Sequence, residues 1–335
     1  MGGGPFRTSR VCMDALSEVL KAVKLDSAFF YNAEFSAPWS FRSPKSCKLA
    51  PYINQSAGHV IVHHLLIEGK AYATLGHERL EIGPGDVVIF PHGDSHCLES
   101  GPTPKPIDGE RELQQIFSQG LALSRMGGGG EVTRFVCGFM VCEQNLSQLF
   151  LTGLPPVFKV NIRRDPSGQW LEKSILDSIS RAKEGGAGAN AVLARLCEAL
   201  FMETLRRYMN LLPEGHTGWL AGARDAEIGK VLAQIHRQPA TRWTIAGLAH
   251  EAGLSRSVLA ERFRRYLGVP PVAYLTRWRM ELGAQMLSST MSSVAQIASK
   301  VGYDSEQAFN RAFKRSFGKP PARYRNEKQL HSATL

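Results

Sequence analysis

No apolar run in the sequence is long enough to cross a bilayer. The most apolar stretch, Val60 to Ile67, is broken by His63 and His64 and falls far short of the roughly 20 residues that a spanning helix requires. A signal core is missing as well. Met1-Gly2-Gly3-Gly4-Pro5-Phe6-Arg7 is not apolar, and Phe6 stands where a myristoylation motif needs Ser or Thr. The sequence therefore predicts no membrane partner and a cytoplasmic location. Cysteine is present but unpatterned. Cys12, Cys47, Cys97, Cys137, Cys142 and Cys197 form no Cys-x-x-Cys and no ligand spacing. That argues against a disulfide scaffold or zinc ribbon and predicts reduced thiols acting as small buried hydrophobes.

The remainder is ordinary globular composition: 335 residues, 43% apolar and 21% charged, enough for two domains with substantial cores. Charge is unevenly spread. Residues 225–335 hold 17 Lys and Arg against 8 Asp and Glu, a net +9, whereas residues 1–224 carry a net +1. An excess confined to one region suits a polyanionic partner such as nucleic acid.

Between Ser46 and His96, short apolar runs at Val60 to Ile67, Ala71 to Leu75 and Asp86 to Phe90 are punctuated by Gly and Pro, which is strand-and-turn grammar. Residues 101–131 contain three Pro and end in Gly127 to Gly130, and read as a flexible insertion. Strand-like runs return at Phe135 to Val141 and Val157 to Ile162. From Gln169 the period becomes helical, with Trp170, Leu171, Ile175 and Ile179 assigned to one stripe. A second helix, Ala191 to Leu212, has a wide apolar face of Leu193, Leu196, Leu200, Met202, Leu205 and Met209. That face can cover the sheet or pair with a second subunit. Gly215 to Gly222 reads as a linker.

The last third contains an internal repeat. Ile245-Ala246-Gly247-Leu248-Ala249 recurs as Val294-Ala295-Gln296-Ile297-Ala298, each followed by a turn glycine, Gly253 and Gly302. Leu259, Phe263, Leu267, Gly268, Pro270, Pro271 and Tyr274 then match Phe309, Phe313, Phe317, Gly318, Pro320, Pro321 and Tyr324 after a one-residue insertion. Each unit reads as helix, glycine turn and second helix, with Ser255 and Asp304 as the start signals of the second helices. Leu259 with Phe263, and Phe309 with Phe313, must face the core. The opposite faces then show Ser257, Ala260, Glu261, Arg264 and Arg265 in one unit and Glu306, Gln307, Asn310, Arg311, Lys314 and Arg315 in the other, chemistry suited to base edges and phosphates. Between the units, Pro271 opens a helix to about Leu287, with Leu275, Trp278, Leu282 and Met286 as its stripe. At roughly 25 Å this strut can hold two reading helices near the 34 Å spacing of successive major grooves.

From about Ile228 to Tyr324 the sequence resembles the DNA-binding domain of the AraC/XylS family of bacterial transcription regulators. The resemblance rests on Gly268-x-Pro270-Pro271-x-x-Tyr274, Gly318-x-Pro320-Pro321-x-x-Tyr324 and Val301-Gly302-Tyr303-Asp304-Ser305. It implies base reading at Ser257 and Glu261 and at Glu306, Gln307 and Arg311. Glu261 departs from the Arg often found there. A carboxylate can accept from cytosine N4 but repels phosphate.

Gly85-x5-Pro91-x-Gly93-x2-His96 reproduces the second cupin motif. Counted from Gly58, the first motif keeps His64 but has Leu66 for its second His and Lys70 or Ala71 for its Glu. Two of four family metal ligands remain, even with His63, His92 or Glu68 nearby, so no metal and no cofactor is expected. His64, Leu66, His92 and His96 are instead expected to line a barrel mouth that takes a small-molecule effector.

The fold expected is α+β multidomain: a tail over 1–10, a cupin-like β-barrel sensor over 11–165, a helical connector with a dimerisation role over 166–222, an all-α tandem helix-turn-helix domain over 223–326 and a tail over 327–335. The function expected is a non-enzymatic, effector-controlled transcription regulator, an activator, partnered by double-stranded DNA and a second copy of itself, with RNA polymerase as a candidate partner. The competing expectation is a metal-dependent cupin oxygenase or isomerase fused to a DNA-binding module.

Overall fold

The computed structural model describes residues 14–22, 25–53, 59–102, 105–119, 123–142, 151 and 153–333. The expected tail over 1–10 and Cys12 lie outside them. Two compact units result. One spans Val23–Pro213; the other joins the helix α1 (Ala15–Ala22) to Glu214–Gln329.

The first unit is built on two sheets. Strands β1 (Leu25–Ser36), β3 (His59–Glu68), β6 (Asp86–Phe90), β9 (Leu123–Gly127), β10 (Val132–Cys142) and β11 (Phe158–Asn161) form one, in the order β11-β6-β3-β10-β1-β9. Strands β2 (Trp39–Ser43), β4 (Ala71–Leu75), β5 (Glu78–Ile82), β7 (His96–Ser100) and β8 (Ile107–Asp108) form the other, in the order β5-β4-β7-β2-β8. Among the described residues the pairing does not close the sheets into one ring, so the expected barrel is an open two-sheet sandwich. Alternation along β3 sends Val60, Val62, His64 and Leu66 between the sheets and Ile61, His63 and Leu65 to the other face. Val60, Val62 and Leu66 join Phe35, Trp39, Phe90 and Phe135 in the inter-sheet core. The opposite face is buried too, which is why β3 is apolar on both faces except at His63 and His64. Gly93 of the cupin motif has φ +65°, and a Cβ there would stand 2.6 Å from the Val60 carbonyl oxygen.

The insertion over 101–131 is more ordered than expected. It contains β8, the helix α3 (Gly109–Gln119) and β9, and Ile116 of α3 is 5% exposed within the core. The helix α2 (Ser46–Ile53) packs beside α3.

Two helices, α4 (Pro166–Lys183) and α5 (Ala189–Leu211), form a hairpin, with α5 against β1 and β11. Asp165 caps α4 by accepting from Gly168 N at 3.1 Å, and Arg207 of α5 donates to the same carboxylate at 2.8 Å. The Ser167 hydroxyl, Arg207 and the Gly168 amide together hold the Asp165 carboxyl far below the usual carboxylate range. Two expectations change here. Trp170 is 65% exposed while Leu171, Ile175 and Ile179 are buried, so the indole is off the stripe. Leu193, Leu200 and Leu205 are buried inside the unit, so this face of α5 serves the subunit's own core rather than a second subunit.

The second unit is all helical. After α6 (Trp219–Arg224) and α7 (Ala226–Arg237) come α8 (Ile245–Ala252), α9 (Arg256–Leu267), α10 (Pro271–Ser289), α11 (Val294–Lys300), α12 (Glu306–Phe317) and α13 (Pro321–Ala333). The residues read as a linker contain the start of α6, whose Trp219 is buried and has a partner: the indole N–H donates to the Tyr274 hydroxyl at 2.8 Å, which in turn meets His236 Nε2 at 2.9 Å. Of the residues read as a C-terminal tail, 327–333 continue α13. The helix α1, expected in the sensor, packs on α6 and α7.

Candidate DNA-reading helices and sensor cavity

The two halves of the repeat fold alike. Ser255 caps α9 through Val258 N and Ser305 caps α12 through Ala308 N. Asp304, expected as the second cap, lies one residue earlier and pairs with Arg242. The one-residue insertion is therefore in the turn itself: Leu254 alone separates Gly253 from Ser255, while Tyr303 and Asp304 separate Gly302 from Ser305. Leu259 and Phe263 of α9, and Phe309 and Phe313 of α12, are wholly buried.

The opposite faces are open. On α9, Ser257, Glu261, Arg264 and Arg265 are exposed, with the Arg265 guanidinium 4.9 Å from the Tyr266 ring centre. On α12, Glu306, Gln307, Arg311, Lys314 and Arg315 are exposed and Asn310 is half-buried. At 3.6 residues per turn, Gln307, Asn310, Arg311 and Lys314 share one stripe, with Glu306 and Arg315 at its edges. Among the described residues, Arg264, Arg311, Lys314 and Arg315 make no ion pair.

Other cations of this unit are already engaged, which sequence reasoning missed. Arg262 grips Asp225 at 2.7 Å and Glu227 at 2.9 Å, tying α9 to the start of α7. Arg279 donates to the carbonyls of Pro239 and Thr241, and Arg325 to those of Leu287 and Ser292. Asp225 as a helix cap before Ala226 was the available signal; its arginine partner had none.

In the two-sheet unit the structure brings His64 and His96 together and leaves His92 apart. His64 Nε2 and His96 Nε2 are 2.8 Å apart, and His64 Nδ1 is 2.9 Å from Cys137 Sγ. His96 Nδ1 lies 2.9 Å from the Asp94 carbonyl. That carbonyl can only accept, so His96 Nδ1–H donates to it and His96 Nε2 becomes an acceptor. His64 then donates from Nε2 and accepts at Nδ1, from the Cys137 thiol. Burial holds His96 down at about 4 and His64 well below the usual histidine range, so both rings are neutral. Burial also pushes the Cys137 thiol far up. Cys137 was missed; its alternation with Phe135 and Phe139 on β10 was the signal. Leu66 is buried in the core, and His92 Nε2 donates to the Leu154 carbonyl at 3.1 Å.

The cupin metal does not fit these residues. Two nitrogens on one tetrahedral ion stand roughly 3.3 Å apart with lone pairs converging, whereas here the two rings share a hydrogen bond and the second nitrogen of His64 is taken by a protonated thiol. Beside this relay lies a small apolar cavity of about 20 Å³, lined by Phe35, Leu98, Ile116, Phe117 and Phe139 with His64 and Cys137. It has room for about one water molecule, so a larger occupant must displace some of the side chains that line it.

Comparison with known proteins matches residues 14–210 to the Cupin family and residues 248–327 to the Helix-turn-helix domain family. An AraC-like transcription regulator of Streptomyces lividans is 34% identical over 249 residues, 74% of this chain and 80% of that protein. The HTH-type transcriptional regulator AlkR of Acinetobacter baylyi is 27% identical over 321 residues, 94% of this chain and 100% of that one. Among solved structures, the DNA-binding domain of AdpA in complex with a target DNA aligns with 32% of this chain and 95% of that domain, at 26% identity and a TM-score of 0.30.

Proposed function

The chain belongs to the AraC-like transcription regulators, with a cupin N-terminal domain and a helix-turn-helix C-terminal domain, and from that membership we propose how its residues divide the work. The protein is a DNA-binding transcription regulator. In our reading α9 and α12 enter successive major grooves: Gln307 and Arg311 read base edges, helped by Glu306 and Asn310, and Lys314 and Arg315 hold phosphates. In the first unit Ser257 and Glu261 face bases, while Arg264 and Arg265 hold backbone. A small molecule seated beside His64 and His96 controls this activity, two copies act together at an operator, and the regulator activates by contacting RNA polymerase in the cytoplasm.

One observation carries the reading. Among the described residues the unit commits Arg262, Arg279 and Arg325 to its own carboxylates and carbonyls yet leaves the cations of the α12 face without an ion pair. A cation held in water without a carboxylate is available to a phosphate. Selection of duplexes from a random pool with the full chain, followed by anisotropy across a salt series, tests it. Enrichment of one motif, with affinity falling linearly in log salt, is expected; no enrichment would overturn it. The effector reading is tested by thermal shift against a metabolite set, comparing wild type with His64→Phe. A ligand at about 100 times its dissociation constant adds roughly 2.7 kcal/mol, and the shift should vanish in the variant while DNA affinity is retained.

A further inference from the structure

Whatever enters the cavity beside His64 meets a wall without charge. Among the described residues no Asp, Glu, Lys or Arg lines it, and its side chains are apolar except at Ser43, His64 and Cys137. Two of those three are already engaged. The Cys137 thiol donates to His64 Nδ1, His64 Nε2 donates to His96 Nε2, and His96 Nδ1 donates to the Asp94 carbonyl. Every polar hydrogen of the relay is therefore used inside the protein, and the relay has no donor left for an occupant. Ser43 adds a single hydroxyl. A carboxylate, an ammonium or a sugar seated here would lose its water and find at most one partner, which costs more than contact with Phe35, Leu98 and Phe139 restores. A hydrocarbon surface loses no such partner and gains by leaving water.

One side of the wall is helical. Leu49 of α2 and Ile116 and Phe117 of α3 form it, and Tyr52 of α2, 47% exposed, stacks on Phe117 with ring centres 5.2 Å apart and planes at 15°. At the start of α3 a Cβ on Gly109 would stand 2.5 Å from the Arg42 carbonyl oxygen. That end is pressed against β2, so opening falls to the Phe117 end. We propose that the site takes an uncharged, hydrocarbon-like molecule bearing at most one hydroxyl or carbonyl, admitted between α2 and α3 as Tyr52 and Phe117 part. The empty volume of about 20 Å³ is too small for such a molecule, so Ile116 and Phe117 must move to make room, and the occupied and empty forms differ in how α3 lies. The inference rests on the effector reading given above and supplies the effector's chemistry.

Thermal shift of the full chain with matched probes tests it. Toluene and hexane are expected to raise the midpoint, whereas benzoate, hexanoate and glucose are expected to bind at least about 100-fold more weakly. Ile116→Ala removes wall atoms without touching the relay and is expected to tighten toluene binding about 10-fold. Ile116→Val, a smaller cut that the core accommodates if the first variant does not fold, is expected to tighten it about 2-fold. Unchanged toluene affinity in the folded variant puts the probe elsewhere and overturns the site. Benzoate, hexanoate or glucose binding as tightly as toluene overturns the chemical class. Toluene and hexane both inert also overturns the class, and the effector reading stands wherever a compound of the metabolite set still shifts the midpoint. A midpoint that neither the probes nor the metabolite set moves overturns the effector reading itself.

Discussion

His64 on β3 and His96 on β7 meet nitrogen to nitrogen at 2.8 Å, so one hydrogen bond ties the two sheets of the first unit together through their core. The relay requires both rings neutral, because His96 Nε2 accepts from His64 and His64 Nδ1 accepts from the Cys137 thiol, and burial keeps them so. His96 is held at about 4 and His64 well below its usual range. Burial also holds His63 at about 4 and His236 at about 3.

Acid should therefore unfold this protein early. In the unfolded chain these histidines titrate near about 6.5, above their folded values, so the unfolded state binds more protons below that pH. Stability is fully present above about 6.5 and is lost as the pH falls towards about 4, by about 1.4 kcal/mol per pH unit for each proton taken up on unfolding. Urea midpoints at pH 7 and pH 5 check this. A midpoint unchanged over that interval would contradict it.

Removing Arg311 should alter DNA reading without altering the fold. Its side chain is exposed and, among the described residues, makes no ion pair, so Arg311→Ala is expected to leave the thermal midpoint within about 1 °C while losing roughly 1–3 kcal/mol on the selected operator and relaxing preference at one position. Lys314→Ala should weaken specific and random duplexes alike and lower the salt slope by about 1. Equal losses on both duplexes for Arg311→Ala would reassign it to the backbone.

Arg262→Ala should do the reverse. Its guanidinium is about a quarter exposed and binds the carboxylate that caps α7, so its removal leaves Asp225 poorly compensated and loosens α9. A cost of about 1–2 kcal/mol is expected, smaller than for a fully buried pair because solvent reaches the site. Differential scanning calorimetry of the full chain measures it. An unchanged transition alongside weaker DNA binding would make Arg262 a DNA contact instead.

How far the sequence revealed all this depended on periodicity. The second helices of the two repeats were legible because Leu259, Phe263, Phe309 and Phe313 repeat at i and i+4 and fix the exposed face by exclusion. Strands β3, β4 and β6 were legible as apolar runs between turns. Strands β1 and β2 were not, because Phe29-Phe30-Tyr31 and Trp39-Ser40-Phe41 lie beside polar residues and signal neither period cleanly. The His64–His96 pair followed from the cupin motif, but Cys137 stands 73 residues from His64, and only the β3–β10 register brings it there. Trp170 shows the converse limit. Its spacing suits the buried stripe, yet it points outward, since Leu171, Ile175 and Ile179 already fill that stripe.

The turn glycines of the two units should differ in what they tolerate. Both adopt left-handed backbone, φ +68° at Gly253 and +89° at Gly302. Around Gly253 a Cβ meets nothing within 4 Å, whereas at Gly302 it would stand 2.7 Å from Ala240 Cα and 2.8 Å from the Ala240 carbonyl oxygen. Gly253→Ala therefore carries only the conformational cost, about 1–2 kcal/mol. Gly302→Ala carries that cost and must also push the Ala240 backbone away from the second unit. Its total should exceed that of Gly253→Ala by at least about 1 kcal/mol. The displaced loop contains Arg242, which pairs with Asp304 immediately before the Ser305 cap, so the entry of α12 should shift as well and operator affinity fall more for Gly302→Ala. Chemical unfolding and anisotropy on the two variants measure both effects. Equal destabilisation would show that the 240–243 loop yields freely and that the second turn is no more tightly enclosed than the first.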